Sequence, residues 1–158
     1  MSDYTASRRW VDDRPRTLVV GCSDGRLQQV VDEFLHEGLG VSQYDRCYVP
    51  GGAGALVPGG IEFTRASQMR KECSFLIEAH GIERAVLIFH GPAPGGPGGA
   101  VCGDYRRRFP NRSADELRER QNEDAREIAR SGLGGVPLEI YRCEVTNEGE
   151  IQFVEMKT

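Results

Sequence analysis

Five residues of this chain have side chains that do chemistry and stand where a chain can present them. Cys22, Asp24 and Arg26 alternate through CSDGR, His90 closes the apolar run AVLIFH, and Cys102 follows the proline- and glycine-dense stretch GPAPGGPGGAV. Thiolate, imidazole and thiolate form a soft donor set, and three protein ligands with an open fourth position is the usual form of a catalytic zinc site. In such a site the pKa of bound water falls to about 7, so a hydroxide nucleophile is available at neutral pH. Asp24 is placed either to accept a hydrogen bond from that water or to close the fourth position itself. Arg26 offers a planar fork that grips the Asp24 carboxylate and keeps it ionised. A second reading uses Cys22 as a thiolate nucleophile without metal, with the glycine loops holding an anionic substrate. Taken singly, each residue has a plainer role: a buried strand-end cysteine, a loop salt bridge, a hydrogen-bonded histidine. Their joint placement argues for the chemical one.

That placement follows from the elements. Thr17–Gly21 (TLVVG) and Ala85–Phe89 (AVLIF) are short continuous apolar runs, the mark of strands buried on both faces. Arg46–Val49 and Leu138–Cys143 read as further strands, and Ile151–Val154 as the second arm of a closing hairpin after the Asn147-Glu148-Gly149 turn. Between them, Leu27, Val30, Val31, Phe34, Leu35 and Leu39 recur at helical spacing. A second helix is predicted over Ile61–His80, with Phe63, Ala66, Met69, Cys73, Leu76 and Ile77 on one stripe. A third opens at the Ser113/Glu116 capping box and stops at Gly132. The alternation implies an α/β fold: a mostly parallel sheet with helices on both faces and a C-terminal hairpin strand. Ligands of such sheets bind beyond the carboxyl ends of the strands. Cys22 to Arg26 follow the first strand, the Gly51–Gly54 cluster follows the second, and His90 follows the third.

Composition bounds the rest. The 158 residues, 39% hydrophobic and 28% charged, suit one globular domain, read as residues 17–158 behind an N-terminal arm of residues 1–16. A net charge of −4 argues against a nucleic-acid partner. No apolar run approaches the ~20 residues that cross a bilayer, and the start has no apolar signal region. Five cysteines without a CxxC pair fit a reducing, cytoplasmic setting, with Cys47, Cys73 and Cys143 as core residues. Arg106 to Arg108 read as a solvated face.

At Cys22-Ser23-Asp24-Gly25-Arg26 the chain resembles the β-class carbonic anhydrases, whose first zinc motif is C-x-D-x-R after the first strand. TLVVGCSDGRL, YVPGGAG, AVLIFHG and the hairpin LEIYRCEVTNEGEIQFV are similar to that family's segments in the same order, covering roughly residues 17–155. The resemblance implies zinc held by Cys22, His90 and Cys102, with Asp24 and Arg26 as the catalytic dyad. It implies a carbonate-dehydratase type lyase in which zinc-bound hydroxide hydrates CO2 to bicarbonate, with COS- or CS2-type hydrolysis as variants. It also implies a homodimer or higher even oligomer. The chain departs from the family at two places. His and Cys are separated by eleven residues instead of two, and Gly51-Gly52 replace the family's Arg-Asn. The first departure leaves two placements for Cys102, on the metal or held away from it, and on the former the loop is expected to act as a lid. A catalytically inactive zinc-binding or interaction protein on the same scaffold is the alternative reading.

Overall fold

The computed structural model describes residues 3–59 and 63–158. Five strands, β1 (Thr17–Cys22), β2 (Asp45–Val49), β3 (Arg84–Pro92), β4 (Leu138–Val145) and β5 (Ile151–Glu155), form one sheet in the order β2-β1-β3-β4-β5. The first four run parallel and β5 returns antiparallel to β4. This is the α/β architecture expected from the strand–helix alternation.

The helices are α1 (Gln28–Glu33), α2 (Phe63–His80), α3 (Gly103–Arg108) and α4 (Ala114–Ser131). Successive strand residues face opposite sides of the sheet, so continuous apolar strands build two cores. Leu18, Val20, Leu87 and Phe89 pack with Met69, Cys73 and Ile77 of α2 and with Leu117, Ala125 and Ile128 of α4. Val19, Val86 and Ile88 meet Val31 and Leu35 on the other side. Each such aliphatic side chain contributes roughly 1.5–3 kcal/mol on burial. The Ser113 hydroxyl accepts from the Glu116 amide and the Glu116 carboxylate accepts from the Ser113 amide, so the box that opens α4 is complete.

Several expectations shift in detail. The first helix is not one α-helix: a 3-10 turn at Gly25–Leu27 leads into α1, which runs on into a π turn at Phe34–Gly38. Phe34, the first residue of the π turn, stacks flat on Phe153 of β5, with ring centroids 4.1 Å apart. The predicted start of α2 at Ile61 lies outside the described residues, and Phe63 is exposed, so the buried stripe begins at Ala66. β3 does not end before His90 but runs to Pro92, because β4 continues to pair with it through Gly91↔Glu144 and Pro92↔Val145. The short helix α3 was not anticipated. Among the described residues, those before Thr17 form no helix or strand, and Tyr4, Trp10 and Val11 of this arm are exposed.

The chain leaves β1 toward β2 on one side and returns through α2 to β3 on the other. The crevice where the connections diverge therefore opens between the carboxyl ends of β1 and β3.

Candidate metal centre

β1 ends at Cys22 and β3 carries His90 at the mouth of that crevice. The chain after β3 first stays in the sheet, with the Ala93 amide donating to the Val145 carbonyl at 2.9 Å. It then makes two tight turns, closed by Gly96 to Ala93 at 2.7 Å and Ala100 to Pro97 at 3.0 Å, and re-enters at Cys102, just before α3. As a result the Cys22 and Cys102 sulfurs and a His90 ring nitrogen all lie within 4.8 Å of one another. Cys102 and His90 are buried, and Cys22 is half-buried.

The cluster suits a tetrahedral metal. At ordinary Zn–S and Zn–N lengths the donors stand about 3.5–3.8 Å apart, so a small contraction would complete the shell. His90 Nε2 is buried and has no hydrogen-bond partner among the described residues. A buried polar atom left so would cost about 1–3 kcal/mol, a cost that a ligand removes. The backbone beneath it is tied down: Gln121 Nε2 of α4 donates to the His90 carbonyl at 2.9 Å. The sulfurs are polarised unequally. The Cys102 thiol, followed by the His90 ring, holds Cys22 down to about 4 against the opposing effect of burial. Cys102 is pushed up, first by the Cys22 thiolate beside it and then by burial.

Asp24 and Arg26 form a fork rather than part of the cluster. Arg26 Nη2 donates to Asp24 Oδ2 at 2.6 Å, and Nε lies 3.0 Å from Oδ1. The Arg26 amide also donates to Oδ1 at 3.0 Å, so Asp24 caps its own turn. These bonds from the Arg26 side chain and then the Arg26 amide hold the Asp24 carboxyl down at about 2, against modest burial. Arg26 Nη1 reaches on to the Gly99 carbonyl at 3.2 Å. Through Gly99 the loop thus braces the dyad from the side; residues 93–100 are absent from the walls of the two cavities that open on both Cys22 and His90, while Gly91, Pro92 and Val101 line a smaller one on His90 and Cys102.

The first of these cavities measures about 190 Å3; its wall joins Leu27, Val31, Tyr48 and Ile88 to Gln28 and Arg46, and includes Cys22, Asp24 and His90. The glycine cluster after β2 allows the backbone to approach Cys22. A Cβ on Gly52, whose φ is +54°, would stand 2.7 Å from the Ile88 carbonyl and 2.8 Å from the Cys22 amide.

Sequence reasoning missed the ring of charge behind the site. Asp104 on α3 is buried and binds Arg65 Nη1 at 2.7 Å, Arg107 Nη2 at 2.8 Å and Arg108 Nε at 3.0 Å. Burial alone would raise its pKa, but Arg65, then Arg107 and Arg108, bring the net shift downward. The solvated-face reading of Arg106 to Arg108 thus fails for Arg108. Its side chain is only 6% exposed and lies over the Tyr105 ring at 4.5 Å. The spacing of Asp104 to Arg107 and Arg108, three and four residues on, was a signal for this that only a helix makes legible. Cys73 and Cys143 are core residues as expected, in the two different cores, and Cys47 is half-buried against the one that holds Cys73.

No family profile matches this chain, and no curated protein matches it by sequence. Among solved structures it is similar to the carbonic anhydrase from Glaciozyma antarctica, with 17% identity over 90% of this chain and 82% of that chain and a TM-score of 0.48. It is also similar to the β-carbonic anhydrase CafA of Aspergillus fumigatus, with 14% identity over 92% of this chain and 78% of that one, at a TM-score of 0.46. A third is β-carbonic anhydrase isoform I from Trichomonas vaginalis, with 12% identity over 96% and 90% of the two chains and a TM-score of 0.48.

Proposed function

We propose that this chain is a zinc-dependent lyase of the carbonic anhydrase type, hydrating a small linear carbon substrate, CO2 in the first instance, with Cys22, His90 and Cys102 as the zinc ligands. The observation that carries the reading is the meeting of those three donors within 4.8 Å across an eleven-residue loop. Zinc, when bound there, supplies a Lewis acid that brings the pKa of a coordinated water to about 7. The protein's own part is positioning. Gln121 fixes the backbone at His90 and so the ring's position. Arg26 keeps Asp24 ionised, a pure hydrogen-bond acceptor, aimed at the crevice but drawn away from the donor cluster. Zinc held by Cys22, His90 and Cys102 would then have its remaining place left for water rather than for Asp24. The small cavity beside Cys22 and His90, with Leu27, Val31 and Ile88 in its wall, has room for a small linear molecule.

A reducing, cytoplasmic setting is supported by the five cysteines without a CxxC pair, and a homodimer or higher even oligomer by the exposed Trp10 and Tyr4 of the arm. Among the described residues no helix is long and apolar enough to cross a membrane.

Elemental analysis of protein purified without added metal, together with stopped-flow CO2 hydration between about pH 6.5 and 9, tests the reading. About one zinc per chain and a rate well above buffer are expected. Well under half an equivalent of zinc refutes the ligand assignment. Full zinc with no rate above buffer refutes the CO2 reaction.

A further inference from the structure

Two of the three cysteines outside the metal cluster stand together. Cys47 lies on β2, the edge strand of the sheet, and pairs in register with Val20 of β1. Side chains alternate along a strand, so Asp45 and Cys47 share one face of β2. Asp45 Oδ2 and His80 Nδ1 are hydrogen-bonded, which joins that face to the last turn of α2. Seven residues before His80, about two helical turns along the same side of α2, stands Cys73. Val20 and Cys73 belong to one core cluster, and Cys47 packs against it.

The two thiols meet there as a hydrogen-bonded pair with unequal parts. Cys73 is fully buried, at 0% exposure, whereas Cys47 is half-buried. The Cys73 thiol draws Cys47 below the ordinary thiol range, against burial and the carboxylates of Glu72 and Asp45. Cys73 is pushed up, first by Cys47 and then by burial. One sulfur is therefore reachable and ionises readily, and the other stands protonated behind it. An attacking and a resolving cysteine divide their work in this way.

We infer that Cys47 and Cys73 form a redox-active dithiol, a modification site that exchanges with a low-molecular-weight disulfide such as oxidised glutathione. The Cys47 thiolate attacks one sulfur of that disulfide, the S–S bond breaks, and the first small thiolate leaves and takes a proton from solvent. Cys47 then carries a mixed disulfide and no charge, so the main influence that held Cys73 protonated is gone. Cys73 gives its proton to solvent, and its sulfur attacks Cys47 Sγ and expels the second small thiol. Two protons and two electrons have passed from the protein to the small disulfide, which leaves as two thiols. β2 has a neighbouring strand on one side only, so it is free to close on α2 as the bond forms. The loop closed between Cys47 and Cys73 holds Gly52, which backs on the Cys22 amide, and Arg65, which binds Asp104. In a reducing compartment such a bond is transient and serves as a sensor rather than as a staple. The exchange needs no metal.

The test is incubation of the purified protein with oxidised glutathione at about pH 7.5, followed by acid quench, alkylation of free thiols and tryptic mapping. The five cysteines fall in five separate tryptic peptides, so each bond is assignable. The expected product is a chain two hydrogens lighter, with residues 47–65 joined to residues 72–84 and both freed by dithiothreitol. Cys73→Ser should stop at a stable glutathione adduct on Cys47, and Cys47→Ser should leave Cys73 unmodified. Cys47 and Cys73 both remaining free in the parent protein overturns the inference, as does a glutathione adduct that persists on Cys47. A disulfide joining Cys22 to Cys102 alone also overturns it. Should either variant fail to fold by circular dichroism, the map of the parent protein decides.

Discussion

Replacing Cys102 by Ser is the sharpest test of the centre, because it asks whether an eleven-residue excursion returns a ligand to the metal. The substitution exchanges one sulfur for one oxygen in a buried position, so the packing of Val101, Cys102 and Tyr105 is nearly conserved. The serine hydroxyl does not ionise at neutral pH, so one of three anionic or basic donors is lost from a cluster spanning 4.8 Å. Zinc held by four protein ligands is worth about 10–16 kcal/mol, or roughly 3–4 kcal/mol per ligand, which corresponds to a loss of about 10^2–10^3 in affinity. Competition with a chromophoric chelator reads this directly. Cys143→Ser and Cys73→Ser, on the same assay, should leave zinc affinity within about threefold of the parent, since both thiols lie outside the cluster. Unchanged affinity in Cys102→Ser would show that the loop does not bring Cys102 to the metal, and Asp24 would then be the first candidate for the third ligand.

Arg26→Ala removes the fork on Asp24 and the tie to Gly99, so turnover should fall about 10^2-fold or more while zinc content stays near the parent; equal turnover refutes the dyad. Gly52→Ala forces a Cβ to 2.7 Å from the Ile88 carbonyl at a positive φ. Strain and displacement together should cost at least about 2 kcal/mol in chemical denaturation, and a loss under about 0.5 kcal/mol contradicts the close approach. In chelator-stripped protein at about pH 6, iodoacetamide should label Cys22 long before Cys143. The first thiol is drawn down to about 4 and is half-exposed, whereas burial pushes the second up to about 12. Peptide mass mapping over time decides the order, and first labelling at Cys143 refutes it.

The features legible in the amino-acid chain are those that short range decides. Short apolar runs rich in Val and Ile and bounded by Gly or Pro read as buried strands, and the 3.6-residue recurrence between them as amphipathic helices. The Ser113/Glu116 box and the Asp24–Arg26 fork involve residues two or three apart, so their geometry follows from the local backbone alone. The C-x-D-x-R spacing was legible for the same reason. The remaining features depend on which strands lie side by side. The order β2-β1-β3-β4 puts Cys22 beside His90, and the continued pairing of β3 with β4 to Pro92↔Val145 sets where the loop departs and hence where Cys102 returns. The loop's proline and glycine content does not say what the loop touches; that Gly99 braces Arg26 is a tertiary contact. Arg65 and Asp104 stand 39 residues apart, and no periodicity joins them. They meet because α2 and α3 converge beside the glycine turn after β2, where a side chain in place of Gly51 would leave no room for the pair.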